Sequence, residues 1–184
     1  QPVQWYDKRR LVPFGEFFPV PQAVREWLRL MNLPYSDFQP GRADPAPLRA
    51  AGETFAPTVC YEDAYGSEQL GLVRQSSLLV NVTNDAWFGD STAPHQHLDI
   101  SRMRALESGR AMLRATNDGV TALIGHDGAL LGTLPQFQPG VLTGEVQPRT
   151  GLTPYVRFGN WPILAVLWLG LAVIVVSYRR SIRR

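Results

Sequence analysis

Along its first 158 residues the chain alternates short apolar runs with stretches of helical spacing. Val3-Gln4-Trp5-Tyr6 reads as a strand, and the Pro/Gly-rich run from Leu11 to Pro21 as a turn. From Gln22 to Met31, apolar Val24, Trp27, Leu28 and Met31 recur at the spacing of an amphipathic helix. Residues 32–53 hold four prolines and read as an irregular surface loop. Thr54–Val59 is a strand feeding Cys60, and Ser77–Val82 a second, Leu/Val-rich one. A helix is expected over His97–Arg114, its apolar side made of Leu98, Met103, Leu106, Met112 and Leu113. Val120–Ile124, Ala129–Thr133 and Val141–Val146 read as three strands joined by Gly-containing turns. Strands alternating with helices, then consecutive strands, indicate an α/β fold with a mixed sheet. Neither a repeat nor a low-complexity tract is visible.

The pattern changes at Trp161. From there to Tyr178 the chain runs 18 residues without a charge, about 27 Å as a helix and close to the hydrocarbon thickness of a bilayer. Trp161 and Tyr178 stand at the two ends, where amphipathic rings prefer the interface. The segment is expected to be transmembrane. Arg179, Arg180, Arg183 and Arg184 follow it and are expected on the cytoplasmic side, which puts the preceding body in the periplasm of a bacterial inner membrane. The expected division is thus a body over 1–158, a membrane helix over 159–178 and a basic tail over 179–184.

Net charge is +2, but without those four arginines 14 basic residues face 16 acidic ones. The body is near neutral and carries no basic stripe with interleaved aromatics, so no nucleic-acid partner is indicated. Of 18 basic residues only Lys8 is a lysine. Lysine offers a compact, rotatable donor where arginine offers a fixed fork, which singles the position out. Cys60 is the one cysteine, so no intrachain disulfide exists. A lone cysteine is most often a buried small hydrophobe; in an oxidising periplasm, a thiol kept free for chemistry fits better. The chain opens Gln1-Pro2-Val3 as if inside a strand, and we expect it to be a piece of a longer protein.

Four constellations carry candidate chemistry: Tyr6-Asp7-Lys8-Arg9-Arg10-Leu11-Val12-Pro13-Phe14-Gly15-Glu16, Val59-Cys60-Tyr61-Glu62, Asn84-Asp85-Ala86-Trp87-Phe88-Gly89 and Arg114-Ala115-Thr116-Asn117-Asp118-Gly119. In this order and at these separations they resemble the nitrilase superfamily. The Leu-Val-Pro-Phe-Gly-Glu run and the terminal apolar helix resemble its apolipoprotein N-acyltransferase branch. The resemblance implies a four-layer αββα sandwich, incomplete here on its N-terminal side, followed by one transmembrane helix. It implies a Glu-Lys-Cys triad in which Cys60 is the nucleophile and Lys8 the lysine, with the general-base glutamate upstream of residue 1. Glu16 matches a second glutamate beside the site, and Tyr61 and Glu62 match the residues after the nucleophile.

Elementary chemistry agrees. A strand ending in a sharp turn presents a thiol at the head of a sheet; the Tyr61 N–H and the Lys8 ammonium would stabilise the oxyanion that thiolate attack creates. A nearby cation also favours the thiolate. Glu16 and Glu62 would hold Lys8 and the turn through charge-assisted hydrogen bonds. Trp87 and Phe88, just before a Gly-Asp-Ser turn, are candidate substrate-facing residues, whereas Asp63 and Glu68 read as solvated surface groups. His95 and His97, two apart on a presumed loop, lack further ligands, so no metal is expected, and no cofactor either.

The resemblance implies acyl transfer from a membrane phospholipid, through a Cys60 thioester, to the α-amine of a diacylglyceryl apolipoprotein. The competing readings are a membrane-tethered nitrilase-like amidase acting on a small C–N substrate and a non-catalytic tethered interaction domain.

Overall fold

The computed structural model describes residues 3–30 and 38–182. Six strands form one mixed sheet in chain order: β1 (Leu48–Ala50), β2 (Glu53–Val59), β3 (Leu78–Asn84), β4 (Met112–Asn117), β5 (Thr121–Ile124) and β6 (Leu130–Leu134). β2, β3 and β4 run parallel, and the outer pairings are antiparallel. The parallel strands therefore release Cys60, Asp85 and Asp118 along a single edge, the carboxyl end where open α/β sheets place their sites.

Helices α2 (Gly66–Val73), α3 (Ala93–Ser108) and α4 (Pro154–Phe158) cover one face. Register sets Ala56, Leu79, Met112 and Ile124 side by side on it, and they pack against Leu72 and Val73 of α2, Leu98 and Ala105 of α3 and Val156 of α4. Two residues further along the strands, the same face carries Thr58, Asn81 and Arg114, all buried. The core thus changes from apolar to polar as it nears the edge that carries Cys60. This is an α/β arrangement of which the described residues hold one mixed sheet and its helical cover.

Several elements depart from expectation. Val3–Tyr6 forms no strand: the Gln4 side chain, not its backbone, accepts from the Arg49 N–H and donates to its C=O, both at 2.9 Å, satisfying the edge of β1. The presumed loop over 32–53 contains β1, returned onto β2 by Ala51-Gly52, both at positive φ, as tight hairpins require; residues 31–37 lie outside the described part. Val141–Val146 forms no strand. Its Val141 is 87% exposed, and prolines 135, 139 and 148 leave little room for a ladder there. The expected His97–Arg114 helix begins earlier, at Ala93, and stops at Ser108, because Gly109 takes the left-handed conformation (φ 65°) and closes it. Met112 and Leu113 accordingly belong to β4, and Met103 and Leu106 of α3 face outward.

α1 (Gln22–Leu30) exposes Val24, Trp27 and Leu30. α5 (Trp161–Ile182) is long and apolar enough to cross a membrane, and none of it is buried. It continues through Arg179 and Arg180, past the expected end at Tyr178.

Candidate active site

Cys60 leaves β2 in the left-handed conformation (φ 56°) and begins a single 3₁₀ turn, Cys60–Ala64. A non-glycine residue there carries strain of about 1–3 kcal/mol, which persists only where neighbours enforce it. Two do so. Asn81 of β3 donates from Nδ2 to the Cys60 carbonyl at 3.2 Å and to Thr58 Oγ1 at 2.9 Å. Glu62 reaches back to accept from the Val59 N–H at 2.7 Å.

Glu62 is buried, and its carboxylate accepts four hydrogen bonds. Oε2 takes Val59 N–H and the Tyr6 hydroxyl (3.0 Å); Oε1 takes the backbone N–H groups of Arg9 (2.6 Å) and Arg10 (3.1 Å). One carboxylate thereby ties the residue after Lys8 to the residue before Cys60, Arg9 to Val59, far apart in sequence. Burial, together with the Glu62 charge, pushes the Tyr6 phenol up to about 12 against the pull of Arg9, so it remains a donor. Arg9 locks the segment further, donating to Gln69 Oε1 at 2.7 Å, while Gln69 donates to the Glu62 carbonyl.

Lys8 is largely buried and pairs with Glu16, Nζ to Oε1 at 2.7 Å; the second Glu16 oxygen accepts from the Val12 N–H at 2.8 Å. Glu16 therefore closes its own turn and fixes the ammonium in one step. Tyr61 is half exposed and stacks edge-on against Tyr65, whose ring lies 4.3 Å under the Arg10 guanidinium. Glu68 meets Arg10 at the surface, as a solvated group would.

Trp87 and Phe88 occupy a short 3₁₀ turn, Ala86–Phe88, that follows β3 at the same edge, and both are exposed. Asn84 joins this turn to the end of β4: its Oδ1 accepts from the Ala86 N–H and from Asn117 Nδ2. The third and fourth sequence constellations are thus neighbours in space.

Sequence reasoning missed the layer beneath. Asp63 is not a solvated group but fully buried, and His97 is not on a loop but on the buried face of α3. His97 contacts Asp63 through Nε2 (3.0 Å) and Asp85 through Nδ1 (2.9 Å). Ser101 donates to Asp63 Oδ2 at 2.5 Å. Arg114 donates to Asn81 Oδ1 (2.6 Å), Ser101 Oγ (2.8 Å) and Asp85 Oδ2 (3.0 Å). Burial opposes ionisation of His97 and Asp85, yet pairing wins at both: His97 is raised to about 9 by the two carboxylates, and Asp85 is held below the usual carboxylate range by His97 and Arg114. At Arg114 burial outweighs the same carboxylates and holds the guanidinium below its ordinary value. Among the described residues no group of His, Cys, Asp and Glu forms a metal site.

The family model for carbon-nitrogen hydrolase matches residues 1–155. An apolipoprotein N-acyltransferase of Azotobacter vinelandii is 51% identical over 171 residues, covering 92% of this chain and 33% of that protein. Its counterpart from Ralstonia nicotianae is 48% identical over 183 residues, 97% of this chain and 35% of that protein. The chain thus spans about a third of the length of the curated relatives it matches. Among solved structures, an amidase from Nesterenkonia sp. aligns with a TM-score of 0.48 at 26% identity, over 57% of this chain and 42% of that one.

Proposed function

Because this chain belongs to the carbon-nitrogen hydrolase family, we propose that it carries the thiol centre of an apolipoprotein N-acyltransferase. In this reading the Cys60 thiolate attacks the ester carbonyl of a membrane phospholipid, forming a C–S bond and an oxyanion. The Tyr61 N–H and the Lys8 ammonium stabilise that oxyanion. The ester C–O bond then breaks, the lysophospholipid oxygen takes up the proton that the thiol gave to the general base, and the acyl chain stays as a thioester. The α-amine of a diacylglyceryl-cysteine next attacks the thioester; the C–S bond breaks, an amide forms, and the amine's proton passes to the base. The base is expected to be a glutamate upstream of residue 1.

The observation that carries this reading is the Glu62 clamp, which brings the Lys8 segment to a strained, strand-terminal Cys60. Similarity to named N-acyltransferases supports the acyl chemistry. Lipid substrates are supported by the unburied α5 and by the exposed Trp87 and Phe88 at the thiol's edge, which we take as the acyl-facing pair. An amidase acting on small soluble amides would have no use for that anchor.

Incubating the intact parent protein with phospholipid and no acceptor should add one acyl mass to Cys60, removable by hydroxylamine, with release of lysophospholipid. Cys60→Ser should lose acceptor acylation, since a hydroxyl lacks the thiol's acidity and nucleophilicity. An adduct that persists in Cys60→Ala would place the nucleophile elsewhere, and turnover of simple amides without lysophospholipid release would favour the amidase.

A further inference from the structure

The buried charges behind the nucleophile turn are not consumed by the chemistry above, yet they join its two working parts. Asp63 belongs to the Cys60–Ala64 turn, and Asp85 immediately precedes the Ala86–Phe88 turn. His97 stands between them with one ring nitrogen on each carboxylate. A neutral imidazole has one N–H and one lone pair, so it can donate to only one of the two; both contacts are hydrogen bonds only when the ring is an imidazolium. Neither carboxylate is spare: Asp63 also accepts from Ser101, and Asp85 from Thr83 and Arg114. The charges facing His97 are Asp63 from the nucleophile turn, Asp85 from the end of β3 and Arg114 from β4. Arg114 is also within the field of Cys60.

We propose that His97, as an imidazolium, is a positioning residue for the Cys60 acyl transfer, pinning the nucleophile turn and the Trp87–Phe88 turn in one fixed relation. The pin acts only through Asp63 and Asp85 and touches no substrate. It rests on the acyl-transfer reading given above. Its pH dependence follows from the two titration points. A histidine in the unfolded chain titrates near 6.5 and the folded one near 9. The stabilisation it gives is complete below 6.5 and is lost as pH rises through 9, and folded molecules keep the imidazolium until about pH 9. Above that, one carboxylate faces a lone pair and the pin opens.

The test uses the intact parent protein in phospholipid nanodiscs, reading the initial rate of acyl-adduct formation on Cys60. One pH unit past the titration point leaves about a tenth of the molecules protonated, so the rate should fall about tenfold between pH 8 and pH 10. In Asp85→Asn the fall should disappear. The new amide donates to Nδ1 of a neutral ring while its oxygen still accepts from Arg114, so the link no longer needs the second proton. A limb arising from any group other than His97 would stay in place in both proteins. His97→Gln, which can donate to only one carboxylate without a clash of like groups, should acylate about tenfold more slowly at pH 8 and lose the alkaline fall. An alkaline limb unchanged in Asp85→Asn, or a wild-type rate in His97→Gln, would overturn the proposal; if His97→Gln does not fold, the Asp85→Asn profile decides alone. Alkylation of Cys60 by iodoacetamide separates this proposal from the function it rests on. If wild type forms no acyl adduct, the acyl-transfer reading falls, and equal alkylation rates in wild type and His97→Gln would sink the pin as well, whereas a several-fold difference would sustain it.

Discussion

Lys8 differs from the seventeen arginines of the chain in what its head group can reach. Its ammonium is held from one side by Glu16 at 2.7 Å, in a mostly buried position. A guanidinium there keeps the charge but is larger and planar, so its donors should miss a point that an ammonium reaches. Lys8→Arg in the intact protein should therefore fail nearly as badly as Lys8→Met, each losing about 10²–10³ in the rate of thioester formation, roughly 3–4 kcal/mol. Melting temperatures should stay close to wild type. Near-normal acylation by Lys8→Arg would reduce the role to simple charge, and near-normal acylation by Lys8→Met would remove Lys8 from the reaction. Residues of this kind were legible in the sequence because the nearby chain advertises them: one lysine, one cysteine, glutamates beside glycines and aromatics. The buried roles of Asp63 and His97 were not, nor was the pairing of Asp85 with Arg114, although both stand in the quoted constellations, and the cause is specific. Arg114 shares strand parity with Met112, and a charged residue on a core-facing position demands a buried acid. Reading 112–114 as the end of a helix erased that parity, and with it the reason to look for Asp63 and Asp85.

The same misreading is instructive at the level of elements. The buried stripe of α3 holds Pro94, His97, Leu98, Ser101, Ala105 and Ser108, a mixture no hydrophobic count would select. His97 and Ser101 are buried there because Asp63 and Arg114 wait beneath them, which only tertiary structure reveals. Strands β2, β3, β5 and β6 fell within a residue or two of expectation, since short apolar stretches bounded by turn residues leave few alternatives. The end of α3 was decided instead by Gly109, with φ 65°, and by Thr153, whose hydroxyl donates to the Glu107 carbonyl at 2.6 Å while capping α4 through the Val156 N–H. A Cβ at Gly109 would lie 3.1 Å from Thr153 Cγ2. Gly109→Ala should therefore lower stability by about 1 kcal/mol from the left-handed backbone alone, somewhat more from crowding. The check is the melting temperature of the intact protein, with Cys60 acylation at low temperature unchanged; an unaltered melting temperature would mean that this turn tolerates a side chain and does not set the helix end.

Across the whole molecule, the sheet's helical cover leads straight into the anchor. Val156 of α4 is fully buried in the core, and only Gly159 and Asn160 separate α4 from α5. Two extended residues span at most about 7 Å, so a body fastened through Val156 must sit against the membrane surface if α5 crosses it. That geometry suits the proposed transfer between two lipids, because the thiol's edge with Trp87 and Phe88 would meet them laterally. We expect charge to decide which surface the body occupies. Arg179 and Arg180 extend α5, Arg183 and Arg184 follow in sequence, and such a cluster stays on the cytoplasmic side, whereas the near-neutral body carries no comparable cluster beside Trp161. We expect the C-terminus in the cytoplasm and Cys60 in the periplasm, where exported lipoproteins arrive. Alkaline phosphatase, which requires an oxidising compartment, should be inactive when fused after Arg184 of the intact protein, and a fluorescent protein that folds only in the cytoplasm should be bright there. Replacing Arg179, Arg180, Arg183 and Arg184 with Gln should weaken that preference and yield a mixed population. A wild-type fusion with full phosphatase activity would invert the orientation, put Cys60 on the wrong side of the membrane for an exported acceptor, and so overturn the proposed meeting of the two lipid substrates.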